Sequence, residues 1–321
     1  MKPFRVPLPN LQITFYGRLQ EIRKNYLIDA LLRTVADSEI HEIDLDLNRF
    51  VASRSLRKVA GWGLRGEILF PVPCLLSKQP KLLGYYRLLL GFSQKQFYGK
   101  EFGFGLFRAM EDRGSLSNRL STELPPFCET LCKSAEMLAE GLDELSERSV
   151  HELTLLTLGP QLRGGVLNVL GAEAVAFVFD TIKAIAARNV TSAKEQSIEI
   201  RNAAGREVEI KFGSDPDISI REKLPSKKYR NLVAIEIKGG RDYSNIHNRL
   251  GEAEKSHQKA RKQGFVECWT MINVSGLDAV LAQRESPSTD RFYDIGAVAR
   301  PESEEFNDFA ESLRARIGIQ D

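Results

Sequence analysis

The 321-residue chain has only four cysteines, and it lacks a recognisable signal sequence and a membrane-spanning run. Cys128 and Cys132 are the only close pair, and no Cys or His pair elsewhere has zinc-finger spacing. The N-terminal segment MKPFRVPLPNLQ has no apolar core. The stretch LLGYYRLLLGF is broken by Arg87 and is too short to cross a bilayer. These absences predict a cytoplasmic protein with reduced thiols, no membrane partner and no cysteine-based metal site.

Several common enzyme motifs are also missing. The sequence contains no glycine-rich phosphate loop after a strand, no His-Glu-x-x-His and no Gly-x-Ser-x-Gly. These absences argue against a phosphate-loop nucleotide hydrolase, a zinc protease of that type and a serine hydrolase of that type. No such site therefore competes with the constellation described below.

The chain also lacks a strong net charge, because its formal charge is only +2. Residues 221–262, however, hold twelve Lys or Arg against five acids, which gives this segment a charge of +7. A concentrated basic face on a near-neutral protein suits a polyanion such as nucleic acid. A solvated basic surface without a partner explains the same charges, so charge alone leaves both interpretations open.

Apolar spacing predicts a mostly helical first half and a mixed second half. One helix with a Ser149–Glu152 capping box is predicted to end at Gly159-Pro160, and a final helix is predicted to cover a sheet. The strand 206–212 is predicted to continue through GSDPDISI. The central segments are a helix at 166–188, strands at 198–202, 206–212, 232–238 and 265–274, and a helix at 244–262. This α-β-β-β-α-β order predicts an α/β (α+β) core with a mixed sheet flanked by helices.

The strand LVAIEIK (232–238) carries a carboxylate and an ammonium on one face. Strand side chains alternate, so Ile235 and Ile237 point into a core while Glu236 and Lys238 share the other face. Asp217, after Pro216, lies on the preceding strand and approaches Glu236 if the two strands pair. Two adjacent carboxylates repel unless a cation lies between them, and a hard divalent ion such as Mg²⁺ is the natural choice.

This arrangement suits phosphodiester hydrolysis. A metal held by Asp217 and Glu236 polarises the phosphate and activates a bound water, and Lys238 orients that water and stabilises negative charge. Gly239-Gly240 lets the backbone pass close to a phosphate. A Pro-Asp followed by Glu-x-Lys is short and arises by chance, and an edge strand with a solvated Glu/Lys face explains it equally well. Its position on paired strands within the basic segment favours the functional interpretation.

The helix after Gly240 has polar residues beside its buried stripe of Ile246, Leu250, Ala253, His257 and Ala260. Arg and Asn make bidentate contacts to base edges in the major groove, and Lys binds phosphates. Glu252 is a candidate further metal ligand, and the histidines are interpreted as packing or phosphate contacts. A solvated helix face is the alternative. The predicted DNA-binding residues are Arg241, Asp242, Asn245, Asn248, Arg249, Lys255 and Lys259.

Glu173 lies inside the apolar 166–188 segment. We therefore predict a buried acid that needs a partner, either as an outer metal ligand or through a local hydrogen bond.

Pro216-Asp217 with Glu236-Ile237-Lys238 resembles the PD-(D/E)xK nuclease motif, and the predicted element order resembles that fold. The string EIKGGRDYSNIHNRLGEAEKSHQKA, with LLGYYRLLLGFSQKQFYG upstream, is similar to the XcyI family of type II restriction endonucleases. The resemblance implies a Mg²⁺-dependent homodimer that cuts the palindrome CCCGGG. Enzymes that cut CCGG-containing sites carry a Glu after thirteen residues beyond the catalytic Lys, as Glu252 does here. Their Arg-x-Asp/Glu-Arg cluster is absent from this sequence.

We therefore predict a type II restriction endonuclease that cuts double-stranded DNA at a palindromic GC-rich site and leaves 5′-phosphates. Catalysis is assigned to Asp217, Glu236 and Lys238, and metal binding to Asp217, Glu236 and Glu252. Residues 1–150 are assigned to a mostly helical region for DNA clamping or dimerisation, and 151–321 to the catalytic domain. A cognate DNA methyltransferase is expected without stable contact. The alternatives are a repair or junction-resolving nuclease of the same fold, and a non-catalytic DNA-binding protein.

Overall fold

The computed structural model describes residues 9–240, 245–274 and 276–320. The chain divides into two compact units, the first ending at Gly164 and the second beginning at Gly165. This division falls inside a long helix, whereas the sequence analysis placed a boundary at 150/151. The functional roles predicted for the two regions stay predictions.

The described residues of the first unit form helices joined by loops, without a strand. Its core contains residues of the aromatic-rich stretch, because Tyr85, Tyr86 and Phe97 are fully buried. That stretch is therefore part of the core of this unit. The helices are α1 (Asn10–Tyr26), α2 (Ile28–Ala36), α3 (Ile40–Phe50), α4 (Ser53–Gly61), α5 (Pro73–Lys78), α6 (Leu82–Leu89), α7 (Gln94–Phe97), α8 (Arg108–Arg113), α9 (Asn118–Ser121) and α10 (Leu124–Glu140).

Arg87, the charge that interrupts the apolar run of α6, is buried in an ion pair. Its Nε and Nη2 atoms donate to the two carboxylate oxygens of Glu111 over 2.8 and 2.7 Å. Tyr98 and Gln94 donate to the same carboxylate at 2.7 and 2.8 Å. Each carboxylate oxygen thus accepts two hydrogen bonds, which compensates the burial of both charges.

Helix α11 (Glu147–Ile185) runs through Pro160, so the predicted helix end at Gly159-Pro160 is wrong. An interior proline removes one hydrogen bond at a cost of about 3 kcal/mol. Packing along the helix outweighs that cost: Leu158 belongs to an apolar cluster of the first unit, and Val178 and Ile182 to the core of the second. The sequence analysis found no membrane-spanning run, but α11 is long and apolar enough to cross a membrane by length and composition alone, a test that core helices of soluble proteins also pass.

The described residues of the second unit form one seven-stranded sheet in the order β1 to β7. Strands β1 to β5 pair antiparallel, and β5, β6 and β7 pair parallel. The mixed α/β class predicted from sequence is confirmed. The strands are β1 (Val190–Lys194), β2 (Ser197–Arg201), β3 (Glu207–Phe212), β4 (Ile218–Lys223), β5 (Tyr229–Lys238), β6 (Glu267–Ile272) and β7 (Arg291–Asp294).

The sheet differs from the prediction at three places. Strands β1 and β7 were not expected. Strand β3 ends at Phe212 and does not continue through GSDPDISI, because a turn closed by the Gly213 N–H donating to the Asp217 carbonyl sends β4 back antiparallel. Gly, Ser, Asp and Pro are the residues that favour such turns. The Asp215–Pro216 peptide bond within this turn is cis.

Helices cover both faces of the sheet. The second unit adds α12 (Ile246–Lys262), α13 (Ala279–Glu285), α14 (Ile295–Val298) and α15 (Glu304–Ile317). Ile235 and Ile237 of β5 lie in the core formed with α11 and α15. Ala234, on the opposite face, packs with Ala260 of α12. The predicted alternation along β5 is confirmed, and all five residues of the predicted α12 stripe are buried.

Candidate active site

Asp217 lies beside the Glu236-x-Lys238 segment, where β4 and β5 stop pairing. Their register joins Ile218 to Ile235, so Asp217 and Glu236 are the next residues outward on neighbouring strands. The Asp217 Oδ2 atom accepts a hydrogen bond of 2.7 Å from the backbone N–H of Ile237. The structure therefore brings together the residues predicted to be catalytic, although they are about twenty positions apart in sequence.

Glu236 and Lys238 face the same side and form an ion pair. Lys238 Nζ lies 2.9 Å from Glu236 Oε1 and 3.4 Å from Glu252 Oε2. Only 8% of Glu236 is exposed, whereas the Glu252 side chain is 65% exposed. Lys238 thus holds a buried carboxylate of the sheet and a solvated carboxylate of α12 at the same time.

The two sheet carboxylates are crowded with negative charge. Burial, followed by the charge of Glu236, raises the pKa of Asp217 from 3.8 to about 6. Burial opposes the charge on Lys238, but the neighbouring carboxylates, Glu236 first, raise its pKa overall. The site therefore has more negative charge than Lys238 alone compensates, and a bound cation would relieve the repulsion.

The donor set suits a hard divalent cation. Asp217 and Glu236 offer carboxylate oxygens, and Glu252 lies on the far side of Lys238. Magnesium is commonly held by one or two carboxylates together with waters and substrate phosphates. Across the described ranges no group of three or more His, Cys, Asp or Glu side chains is arranged to hold a metal. Water, joined by a DNA phosphate when substrate is bound, would accordingly complete the coordination of a metal held here.

The two glycines that follow β5 lie close against other protein atoms, and at Gly239 these atoms leave no room for a side chain. A Cβ at Gly239 would lie 2.6 Å from Ala174 Cβ and 2.7 Å from the Leu170 carbonyl of α11. A Cβ at Gly240 would lie 2.4 Å from the guanidinium of Arg249. Close packing of a helix and of an arginine thus explains Gly239-Gly240 without a phosphate, a reason that the sequence analysis did not foresee.

The predicted DNA-binding residues of α12 lie at two levels of exposure. Arg249 is only 8% exposed, and its guanidinium donates to the Gly240 carbonyl. Asn245 and Asn248 are exposed, and the Asn248 amide donates to Asn245 Oδ1 over 2.7 Å. Arg241 and Asp242, predicted in the same group, lie outside the described residues.

Lys255 and Lys259, the two predicted lysines of α12, are both exposed, and Lys259 forms an ion pair. Lys259 Nζ lies 2.7 Å from Asp215 Oδ2, in the turn before β4. Lys255 lies one residue before Ser256 and is exposed. Both ammonium groups are therefore accessible to a polyanion, as phosphate contacts require.

Glu173 is exposed, so its predicted burial is wrong. The buried residues of this part of α11 are Ala174, Val178, Phe179 and Ile182, and Glu173 lies outside that buried stripe. It therefore needs no buried partner, and an outer role at the metal site stays a prediction.

The histidines of α12 have structural partners. His247 Nδ1 lies 2.6 Å from Glu285 Oε1. His257 is fully buried beside Thr270, to which Nε2 is hydrogen-bonded over 2.8 Å, and burial lowers its pKa to about 4. His257 is therefore neutral at physiological pH and packs α12 onto β6, in agreement with the packing interpretation.

Two further polar residues join the site and were missed by the sequence analysis. The Ser256 hydroxyl lies 2.8 Å from Glu236 Oε2 and 2.7 Å from Asp215 Oδ1. The sequence places Ser256 on the same side of the helix as Glu252, four residues before it, and Lys259, three residues after it. This spacing could have indicated that Ser256 faces the site, but it does not show which residues the serine contacts.

A seven-stranded mixed sheet covered by helices on both faces is consistent with a restriction-endonuclease fold. The family model of the XcyI restriction endonuclease matches residues 16–320. The chain belongs to this family.

Two curated relatives resemble the chain along nearly its whole length. The type II restriction enzyme XcyI of Xanthomonas campestris pv. cyanopsidis is 49% identical over 317 residues, covering 98% of this chain and 95% of that protein. The type II restriction enzyme Cfr9I of Citrobacter freundii is likewise 49% identical over 317 residues, covering 98% and 96%.

Proposed function

We propose that this chain is a Mg²⁺-dependent type II restriction endonuclease. It cuts both strands of duplex DNA at a palindromic, GC-rich sequence with a CCGG core, similar to CCCGGG, and leaves 5′-phosphates. The observation that carries the proposal is the convergence of Asp217, Glu236 and Lys238 at one sheet end. Membership of the XcyI family and two relatives named type II restriction enzymes support it.

Each site residue has a defined task in hydrolysis. Asp217 and Glu236 would hold the magnesium, with Glu252 available from α12. When bound, magnesium polarises the scissile phosphate and lowers the pKa of a coordinated water. Lys238 Nζ orients the attacking water and stabilises the negative charge that develops on the phosphate. The water oxygen bonds to phosphorus while the bond to the 3′ oxygen breaks, which leaves a 5′-phosphate and a 3′-hydroxyl.

Recognition is assigned to the beginning of α12 and the segment before it. This helix starts next to the catalytic strand, so its first polar residues would lie against bases near the scissile phosphate. Arg249 has the paired donors that read a guanine edge, Asn245 and Asn248 offer amide donors and acceptors to neighbouring base edges, and Lys255 and Lys259 suit phosphates. Arg241 and Asp242 are assigned to the same contact from sequence.

The working unit is proposed to be a symmetric homodimer. The described residues of one chain contain one Asp217–Glu236–Lys238 constellation, which hydrolyses one strand at a time. A palindrome presents two identical half-sites related by a two-fold axis, and two chains on that axis would cut both strands. A cognate DNA methyltransferase would protect host DNA without stable contact with this protein.

Incubation of the purified chain with linear duplex DNA that carries one CCCGGG site tests this function. With Mg²⁺ we expect two discrete fragments, and run-off sequencing on each strand then locates the cuts. A duplex of identical length with one base pair of the site changed is the control. Cleavage of branched DNA but not plain duplex would instead support a junction-resolving nuclease, and binding without cleavage a non-catalytic DNA-binding protein.

A further inference from the structure

The hydroxyl group of Ser256 lies between two carboxylates from different parts of the fold. Its Oγ is 2.8 Å from Glu236 Oε2 on β5 and 2.7 Å from Asp215 Oδ1 in the turn before β4. Ser256 is 8% exposed, so little water competes for these contacts. The single hydroxyl proton is shared between the two carboxylates, so Ser256 links α12 with β5 and with the turn that carries Asp217.

Glu236 is held from two sides. Oε1 is paired with Lys238 Nζ at 2.9 Å, and Oε2 is bonded to Ser256. The carboxylate plane of a glutamate turns freely about its last torsion unless both oxygens have partners. Ser256 thus fixes the direction in which the Glu236 oxygens face the site.

Asp215 extends the connection to the second ligand. It is two residues before Asp217 in the same turn, and Lys259, one helical turn after Ser256, pairs with its Oδ2 atom at 2.7 Å. Two contacts from α12 therefore hold this turn, one through Ser256 and one through Lys259. The position of this turn therefore determines where the Asp217 side chain lies in the site.

We propose that Ser256 and Asp215 are positioning residues for the metal-binding carboxylates. They hold Glu236 and the Asp217 turn against α12, the helix assigned to DNA recognition. The inference rests on the proposed function, because it assigns these residues to the same site. Neither residue touches the reacting atoms, and their effect passes through Glu236 and Asp217.

A positioning role predicts a defect in metal binding. Ser256→Ala leaves Glu236 Oε2 without its serine partner, and loss of such outer partners costs about 10–100-fold in metal affinity or activity. We expect cleavage at low Mg²⁺ to fall about 10–100-fold and to recover in part as Mg²⁺ rises. Ser256→Thr keeps the hydroxyl and should restore most of the activity, and Asp215→Asn should shift the Mg²⁺ dependence in the same direction as Ser256→Ala.

Direct measurement of metal binding separates positioning from a general structural defect. Mn²⁺ binding to each variant can be followed through the electron paramagnetic resonance signal of free Mn²⁺. The Mn²⁺ concentration at half-saturation should be about 10-fold higher for Ser256→Ala than for the wild type. Gel-shift affinity for the cognate duplex in EDTA should stay at the wild-type value. Ser121→Ala is the matched control, because Ser121 is an exposed helical serine that bonds its own helix backbone.

Several outcomes would overturn the inference. Wild-type Mn²⁺ affinity and Mg²⁺ dependence in Ser256→Ala would do so, as would a loss of DNA affinity with unchanged metal binding. If Ser256→Ala does not fold by circular dichroism, Asp215→Asn decides, and wild-type Mn²⁺ affinity in that variant would overturn it. Should the wild type cut no duplex, the proposed function fails, while the Mn²⁺ comparison still decides whether Ser256 and Asp215 position the carboxylates.

Discussion

The Oδ2 atom of Asp217 lies 2.7 Å from the backbone nitrogen of Ile237, the middle residue of the Glu-x-Lys segment. The carboxylate binds the backbone of β5 just beyond the last register pair of β4 and β5. One short hydrogen bond thus aligns the two parts of a motif that the chain separates by a full hairpin. The pairing of β4 and β5 itself rests on backbone hydrogen bonds, so side-chain substitutions in the motif should leave it intact, although Asp217→Ala removes the contact with Ile237.

Replacement of Asp217, Glu236 or Lys238 by alanine is therefore expected to abolish cleavage without unfolding the protein. Loss of a single group that stabilises developing charge costs about 10²–10³-fold in rate, and loss of a metal ligand at least as much. Cleavage of the CCCGGG duplex and circular dichroism measure the two properties. Glu173→Ala, which removes an exposed acid of α11, is the control. Near wild-type cutting by any of the three variants would place the site elsewhere.

The pKa of Asp217 predicts how metal-free stability depends on pH. Because the folded-state pKa is raised from 3.8 to about 6, the stability that Asp217 contributes is fully present below about pH 4 and is lost as pH rises through 6. At pH 7 Asp217→Asn should therefore raise the free energy of unfolding by about 1–3 kcal/mol in EDTA. Urea unfolding at pH 4 and pH 7 measures this difference.

Added Mg²⁺ supplies the matching control, since it should stabilise the wild type at pH 7 and leave Asp217→Asn nearly unchanged. If wild type and Asp217→Asn differ in stability by the same amount at pH 4 and at pH 7, the raised pKa of Asp217 is contradicted.

Gly239 is predicted to be intolerant of a side chain. A Cβ there would lie 2.6 Å from Ala174 Cβ and 2.7 Å from a backbone carbonyl, so α11 or β5 must shift. Overpacking of this kind costs about 1–3 kcal/mol. Thermal unfolding of Gly239→Ala should show this loss. Gly251→Ala, where no atom lies within 4 Å of the added Cβ, should instead be neutral or stabilising. Equal stability of the two variants would refute the close approach.

Local periodicity explains which features could be predicted from sequence. The shared face of Glu236 and Lys238 follows from the two-residue repeat of a strand, and the buried stripe of α12 follows from helical spacing. Both patterns are complete within one element, so no knowledge of the partner element is required. The hydrophobic run of LVAIEIK likewise marks a central strand, whichever strands lie beside it.

The remaining features depend on long-range packing. In the apolar helix α11 the sequence does not indicate which face meets the sheet, and the burial of Glu173 was therefore predicted wrongly. Strands β1 and β7 are short and carry few apolar residues, and neighbouring strands define them. The contact of Ser256 with Asp215 joins positions 41 residues apart, and no local pattern predicts such a contact.

Arg249 and Lys255 should differ in what they recognise. If Arg249 reads a guanine, Arg249→Ala should weaken binding to CCCGGG DNA by about 1–3 kcal/mol more than binding to random DNA. Lys255→Ala should weaken both equally and lower the slope of log K against log salt by about 0.9. Fluorescence anisotropy over a salt series measures both. Because Arg249 is buried against Gly240, the unfolding curves of Arg249→Ala and of the wild type must be compared first. Equal losses on both duplexes would reassign Arg249 to the phosphate backbone.

The oligomeric state is expected to be a dimer, at least on DNA. With one constellation in the described residues of each chain, a monomer would nick one strand of a palindrome, whereas two chains on a two-fold axis would cut both. Sedimentation at micromolar concentration, with and without the cognate duplex and in EDTA, should show two chains per duplex. Mixing wild type with excess Lys238→Ala gives an independent check, because mixed dimers should convert supercoiled plasmid to nicked circles. A monomer on DNA that leaves only nicks would argue against the restriction-enzyme assignment and would favour a nuclease that acts on one strand.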